Sequence, residues 1–78
     1  MRIAVVGGAG YIGGELLRLL LCHPDVELVQ ATSDRQRGQP LHAVHPNLRH
    51  LTSLRFTAHD ELGEADAVFL ALPHGTAM

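Results

Sequence analysis

A dense run of glycines is the feature of this 78-residue chain with the clearest chemical use. Gly8, Gly10 and Gly13 have the spacing Gly-x-Gly-x-x-Gly, and Gly7 with the last two gives the looser Gly-x-x-Gly-x-x-Gly. Glycines at such spacings make a tight turn, let the backbone approach a diphosphate, and let a helix pack closely on a strand. The N–H groups at the start of that helix then bind the anion. The run therefore predicts a dinucleotide-binding turn.

The elements on either side of the glycines fit this interpretation. Residues 3–6 are continuously apolar, which is typical of a strand buried on both faces of a parallel sheet. A helix is predicted from about Tyr11 to Cys22, because Pro24 cannot continue the hydrogen-bond ladder. The predicted buried stripe of this helix consists of Ile12, Leu16, Leu19 and Leu20, and its solvent-facing side of Glu15 and Arg18.

The end of the second predicted strand, residues 26–32, indicates which dinucleotide is bound. An acidic residue at this point accepts a hydrogen bond from the ribose 2′-hydroxyl of NAD, whereas arginine accommodates the 2′-phosphate of NADP. The sequence offers both, since Asp34 is preceded by Ser33 and followed by Arg35 and Arg37. The hydroxyl and the two guanidinium groups suit a phosphate. We therefore predict NADP, with NAD as the alternative.

The remaining segments are predicted to continue an α/β domain. We expect a polar loop over most of 33–50, a short strand at 54–57, one helical turn at 60–65, and a buried strand at 67–72 that Pro73 closes. This order predicts the N-terminal part of a Rossmann-like, doubly wound parallel sheet. Such a sheet needs further strands and helices to cover both faces. Residues 1–78 are therefore expected to form only the N-terminal part of an NAD(P)-binding domain, without the catalytic domain.

Open α/β sheets bind ligands beyond the carboxyl ends of their strands. For this reason the segment after the last strand is expected to border the cofactor, although no proton-transfer role is predicted for His74. The predicted cofactor-binding residues are Gly7, Ala9, Gly10, Tyr11, Ile12, Gly13, Ser33, Asp34, Arg35, Leu72 and Pro73.

Composition excludes several other kinds of site. All six basic residues are arginines, so the segment contains neither a P-loop lysine nor a Schiff-base lysine. The net charge of −2 gives no sign of a nucleic-acid or anionic-membrane partner, and no targeting segment is evident. We expect a cytoplasmic protein. Among six histidines, His42, His45 and His50 lack a zinc-like spacing, so no metal site is predicted.

Two enzyme families have a first turn of this kind. The stretch "GGAGYIG" resembles the front of NAD-dependent sugar-nucleotide epimerases, which would need a Tyr-x-x-x-Lys pair later in the gene. Five stretches in order resemble instead the N-terminal segment of the N-acetyl-gamma-glutamyl-phosphate reductase and aminoadipyl-phosphate reductase family: "VGGAGYIGGELLRLL", "HPDVEL", "TSDRQRG", "HPNLR" and "DAVFLALPHG". Of these, "HPNLR" is more similar to the aminoadipyl branch. A non-catalytic dinucleotide-binding module is a third hypothesis.

The reductase resemblance implies an NADPH-dependent enzyme of arginine or lysine biosynthesis that reduces an N-blocked acyl phosphate to a semialdehyde. In this family a cysteine thiolate attacks the acyl phosphate, phosphate leaves, and the thioester is then reduced. That cysteine is expected in a later domain, because Cys22 is expected only to fill core or surface space. No catalytic residue is therefore predicted here, and the segment alone is expected to be inactive. The resemblance also implies a homo-oligomer and, in some members, a substrate attached to an amino-group carrier protein.

Overall fold

The computed structural model describes residues 1–71, so the predicted contacts at Leu72 and Pro73 lie outside the described residues, as does His74. The regular elements are β1 (Arg2–Val6), α1 (Tyr11–Leu21), β2 (Glu27–Thr32), the single-turn helix α2 (Leu41–Val44) and β3 (Ala67–Leu70), with 3₁₀ turns at Pro46–Leu48 and His59–Glu61.

The three strands form one parallel sheet in the order β2-β1-β3. Val6 at the end of β1 pairs with Thr32 on one side and with Leu70 on the other. All three carboxyl ends therefore meet at one edge of the sheet, where the glycines follow β1. This arrangement confirms the predicted α/β fold with a Rossmann-like parallel sheet.

The predicted strand at 54–57 is not a regular strand. Thr57 forms an isolated parallel bridge to Thr32, and Arg55 forms an antiparallel bridge to Pro40. Successive N–H groups point to opposite sides of an extended chain. Thus the Phe56 N–H donates to the Gln39 carbonyl at 2.9 Å while the Thr57 N–H donates to β2. One side of the segment therefore hydrogen-bonds to the polar loop and the other side to β2, so the segment connects the loop to the sheet.

The predicted buried stripe of α1 is confirmed at Leu20 and wrong at Ile12 and Leu19. The buried face of α1 consists of Gly13, Gly14, Leu17 and Leu20, whereas Ile12 is 71% exposed and Leu19 is 57% exposed. A pattern of hydrophobic residues does not count glycine, yet Gly13 lies against the backbone of Gly7 and Gly8. Because the buried face of α1 includes this contact, Ile12 and Leu19 lie on the exposed side of the helix. On the predicted solvent-facing side, Arg18 and Glu15 form a part-exposed ion pair at 3.0 Å.

The polar region 33–50 contains more structure than the predicted loop. Pro40 is the extended N-cap residue immediately before α2. Pro46 is the first residue of the 3₁₀ turn that follows, a position that proline favours. These short elements bring Leu41 and Leu48 into the core, where neither is exposed to solvent. Single apolar residues in a polar sequence gave no periodicity, which is why the prediction missed them.

The end of the described chain differs from the prediction in two respects. The helical turn is a 3₁₀ turn at 59–61, and β3 is exposed instead of buried. Val68, Phe69 and Leu70 are 44%, 39% and 75% exposed. β3 is an edge strand of the sheet, and its outer side meets no further strand among residues 1–71. None of the helices in this described range is long and apolar enough to span a membrane.

Candidate cofactor site

The glycine turn is joined directly to the end of β2. Gly7 has φ 88°, a left-handed conformation that is unfavourable for residues other than glycine. In this conformation the N–H groups of Gly7 and Gly8 both donate to the Thr32 carbonyl at 3.0 Å. The chain therefore reverses immediately after β1 and enters α1 above the carboxyl ends of the strands.

Gly13 provides the close packing of helix on turn. A Cβ atom at this position would lie 2.7 Å from the Gly7 carbonyl oxygen and 2.8 Å from backbone atoms of Gly8. A Cβ at Gly10 would meet nothing within 4 Å, so that backbone faces open space. Gly8 is instead buried against Leu17 and Phe56. Gly7 thus makes the turn, Gly10 leaves the backbone open to a ligand, and Gly13 allows close packing. These three glycines have the looser Gly-x-x-Gly-x-x-Gly spacing.

The start of α1 has backbone donors available for an anion. Its first intrahelical bond runs from the Gly14 N–H to the Gly10 carbonyl at 2.8 Å, so the preceding N–H groups have no acceptor within the helix. Gly10 provides no side-chain cap, and the first turn has no acidic residue. The helix dipole adds about 0.3–1 kcal/mol of attraction for a negative group there.

An open cleft of about 350 Å³ lies beside this helix start. We call Gly7, Ala9 and Gly10 its glycine wall, and Ser33, Asp34, Arg35, Gln36 and His59 its strand-end wall. The cleft brings together most of the predicted cofactor residues that the structure describes. Tyr11 and Ile12 are exposed in the first turn of α1, and Gly13 is buried beneath it, so these three do not line the cleft.

The strand-end wall begins with a buried serine. The Ser33 N–H donates to the Thr57 carbonyl at 2.8 Å, and the Ser33 Oγ accepts from the Gln36 N–H at 3.3 Å. This turn directs Arg35 to the cleft, where its side chain is exposed. Arg37 is also exposed but does not line the cleft. The two arginines that the sequence presented as equivalent are therefore in different environments.

His59 is a cleft residue that the sequence analysis missed. Its backbone N–H donates to Asp34 Oδ1 at 2.9 Å, and its Nδ1 is 2.7 Å from the Thr32 hydroxyl. These contacts join residues 25 and 27 positions apart, which no local motif reveals. The available signal was position alone, because His59 closely follows the predicted strand at 54–57, whose end lies at the same sheet edge.

His45, the first residue of "HPNLR", supports the glycine turn from below. Its Nε2 is 2.8 Å from the Gly8 carbonyl oxygen, and since a carbonyl only accepts, Nε2 carries the proton and donates. The ring lies against Gly14, where a Cβ would be 2.5 Å from Cε1, and meets the Phe56 ring edge-on at 6.5 Å between centroids. His45 therefore packs within the fold. Among residues 1–71, no three His, Cys, Asp or Glu side chains form a metal-binding group.

Residues 2–78 match the family model described as semialdehyde dehydrogenase, NAD binding domain. The chain belongs to this family. The match supports a nicotinamide-dinucleotide cofactor, in agreement with the prediction made from the glycine turn. It also decides between the two families that the first turn alone left open, in favour of the reductase resemblance over the epimerase.

Three relatives show how this NAD-binding domain is used elsewhere. The chain is 53% identical over 81 residues to the LysW-L-2-aminoadipate/LysW-L-glutamate phosphate reductase of Saccharolobus solfataricus, covering 100% of the chain and 23% of the relative. It is 55% identical over 75 residues to the LysW-L-2-aminoadipate 6-phosphate reductase of Deinococcus radiodurans, covering 96% and 22%. It is 53% identical over 81 residues to the N-acetyl-gamma-glutamyl-phosphate reductase of Methanocella arvoryzae, covering 100% and 24%. The chain thus spans about a quarter of each relative's length.

The residues present fit a dinucleotide. The helix start offers uncapped N–H groups for a diphosphate, and Gly10 leaves room for it. The strand-end wall has hydroxyl, carboxylate and guanidinium groups just after β2, the part of a Rossmann fold that contacts the adenosine ribose. The cleft volume is within the range of small-molecule sites, about 300–1,000 Å³.

Proposed function

We propose that this chain contributes part of the cofactor site of an NADPH-dependent reductase that converts an N-blocked acyl phosphate to a semialdehyde with release of phosphate. The observation that carries the proposal is the match of essentially the whole chain, at 53–55% identity, to relatives named for this reduction. Because the chain spans only about a quarter of those relatives, the activity is proposed for the whole protein. The 78 residues are proposed to bind cofactor and to lack activity by themselves.

The choice of NADPH rests on the strand-end wall. Arg35 is exposed at the cleft and, among residues 1–71, has no ion-pair partner. Its guanidinium can therefore meet a 2′-phosphate without first breaking an internal contact. Asp34 favours the 2′-hydroxyl of NADH when judged from sequence, but one of its oxygens already accepts the His59 N–H. That bond gives the carboxylate a structural use that does not depend on NADH.

The proposed substrate is a carrier-linked acyl phosphate, with the N-acetylated glutamyl phosphate as the alternative. Two of the three relatives are named for LysW-linked substrates, and one is named for the N-acetyl compound. The "HPNLR" stretch favours the carrier-linked branch by resemblance. A small amino-group carrier protein is therefore the proposed partner. The homo-oligomeric state of the whole protein and its location in the cytoplasm stay predictions.

The reacting cysteine is proposed to lie outside these 78 residues. Cys22, the only cysteine, is exposed at the C-terminal end of α1. The helix places it roughly 17 Å along the axis from the donors at the helix start, at about 1.5 Å per residue. When bound, the nicotinamide supplies the reducing equivalent. The residues of this chain hold the dinucleotide so that its diphosphate lies against α1 and its adenosine ribose lies against the strand-end wall.

Steady-state kinetics on the full-length protein test the proposal. The purified enzyme is offered carrier-linked aminoadipyl phosphate, carrier-linked glutamyl phosphate and N-acetyl-glutamyl phosphate, each with NADPH and with NADH. We expect nicotinamide oxidation that depends on the acyl phosphate, with the largest kcat/KM for a carrier-linked substrate and NADPH. Absence of reduction with all three substrates would contradict the proposed reaction. Equal or better use of NADH would contradict the proposed cofactor while leaving the reaction standing.

A further inference from the structure

His59 occupies a position in the strand-end wall that packing alone does not explain. It follows the segment that extends the sheet beside β2, and it lines the cleft together with Ser33, Asp34 and Arg35. Two separate contacts fix it there. The main chain is held by Asp34 Oδ1 at 2.9 Å, and the ring is held by the Thr32 hydroxyl at 2.7 Å. An imidazole whose backbone and ring are both held in place is suited to recognising a ligand group.

The hydrogen-bond partners of Thr32 determine which ring nitrogen carries the proton. The Thr32 side chain is fully buried, so its hydroxyl hydrogen needs an acceptor. Within residues 1–71 the only partner of Thr32 Oγ1 is His59 Nδ1. The hydroxyl therefore donates to Nδ1, and the neutral ring carries its proton on Nε2. That N–H has no hydrogen-bond acceptor in this part of the chain.

We infer that His59 is a cofactor-specificity residue, whose Nε2–H donates to the 2′-phosphate of the adenosine ribose beside Arg35 and Ser33. This inference rests on the proposed use of a 2′-phosphorylated dinucleotide. A phosphate accepts several hydrogen bonds at once, and the wall offers it a hydroxyl, a guanidinium and an imidazole N–H within one cleft. A ribose 2′-hydroxyl has no comparable need for three donors.

Asp34 is a positioning residue in this arrangement. Its Oδ1 accepts the His59 N–H and so fixes the start of the 3₁₀ turn that carries the imidazole. An amide oxygen can accept the same bond, but a methyl group cannot. Asp34→Asn should therefore preserve the selection of the 2′-phosphate, and Asp34→Ala should weaken it. If Asp34 instead served a ribose hydroxyl, Asp34→Ala would weaken binding of the form without the phosphate.

Calorimetric titration of the full-length protein tests the inference without catalysis. The probes are adenosine 2′,5′-bisphosphate, which carries the 2′-phosphate, and adenosine 5′-monophosphate, which lacks it. His59→Ala should weaken binding of the bisphosphate by about tenfold, the size expected for a hydrogen bond to a charged group, and leave the monophosphate unchanged. His59→Gln, which retains an N–H donor, should recover part of the loss. His50→Ala, at an exposed position outside the cleft, is the matched control.

Three outcomes would overturn the inference. His59→Ala could weaken the binding of both nucleotides equally, which would mean that the ring only packs within the fold, or it could weaken the binding of neither. Asp34→Ala could leave selection of the bisphosphate intact. If the variants do not fold, the Nε2 signal of His59 in ¹⁵N-histidine-labelled wild-type protein provides the same test. It should shift with the bisphosphate and not with the monophosphate, and an unmoved signal contradicts the inference. A wild-type protein that does not distinguish the nucleotides would contradict the proposed NADPH preference instead.

Discussion

The two walls of the cleft differ in the groups that they present and in how much local packing shapes them. In the glycine wall, the close contact joins Gly13 to Gly7 and Gly8, only a few residues earlier. In the strand-end wall, Asp34 and Thr32 contact His59 across separations of 25 and 27 residues. The first wall presents backbone N–H groups and the second presents side chains. The turn is thus shaped by local packing and completed by long-range contacts from Thr32 and His45, whereas the position of His59 depends on long-range contacts alone.

The largest expected effect comes from adding a side chain at Gly13, which packs beneath the glycine wall. Gly13→Val would place Cβ 2.7 Å from the Gly7 carbonyl oxygen, and backbone cannot move aside as a flexible side chain can. We expect the free energy of unfolding to fall by about 1–3 kcal/mol, as in other overpacked sites, and NADPH binding to be lost. Denaturant unfolding and fluorescence titration of the full-length protein measure both effects.

Gly63→Ala is the control for that change. The new Cβ would lie 3.5 Å from the Gln30 side chain, an ordinary contact, and Gly63 is exposed away from the cleft. Stability and NADPH affinity should stay close to wild type. If Gly13→Val bound NADPH as well as Gly63→Ala did, close packing of α1 would not be what positions the diphosphate donors.

His45 tests how far the shape of the glycine turn depends on a contact from a distant part of the chain. His45→Ala removes the bond from Nε2–H to the Gly8 carbonyl and leaves that buried acceptor unsatisfied. We expect a loss of about 1–3 kcal/mol in the free energy of unfolding, with KM for NADPH raised more than kcat is lowered. His45→Gln should restore part of the KM. An unchanged KM would mean that the turn holds its shape without this support.

The two arginines after β2 test whether position in the cleft decides the choice of dinucleotide. Arg35 lines the cleft and Arg37 does not, although both are exposed. Arg35→Ala should lower the ratio of kcat/KM for NADPH to that for NADH by about tenfold, through loss of a charge-assisted bond. Arg37→Ala should change that ratio by less than about twofold. Equal effects of the two substitutions would show that the strand-end wall acts through general charge and not through position.

The smallest effect is expected for the ion pair on the outer side of α1. Arg18 and Glu15 are 3.0 Å apart and nearly half exposed. Such pairs contribute about 0.2–1 kcal/mol. A double-mutant cycle with Arg18→Ala and Glu15→Ala should give a coupling free energy within that range and no change in cofactor affinity. A change in cofactor affinity would show that the outer side of α1 influences binding in the cleft.

The same contrast explains what could be predicted from the sequence. The glycine turn, α1, β2 and the parallel sheet follow from local spacing and apolar runs, and these predictions are confirmed by the fold. Local patterns could not show that Gly13 turns Ile12 outward, because that depends on helix-to-turn contact. They also could not show α2, since Leu41 and Leu48 have no periodic neighbours. His59 escaped prediction because its partners lie more than twenty residues away.

A crystal structure of the full-length protein with NADP⁺ would show whether the start of α1 holds the diphosphate. We expect diphosphate oxygens within about 3 Å of backbone N–H groups at the start of α1, beside Gly10, with the adenosine ribose against the strand-end wall. A dinucleotide bound with its diphosphate away from that helix start, or a helix start filled by a protein side chain, would contradict this expectation.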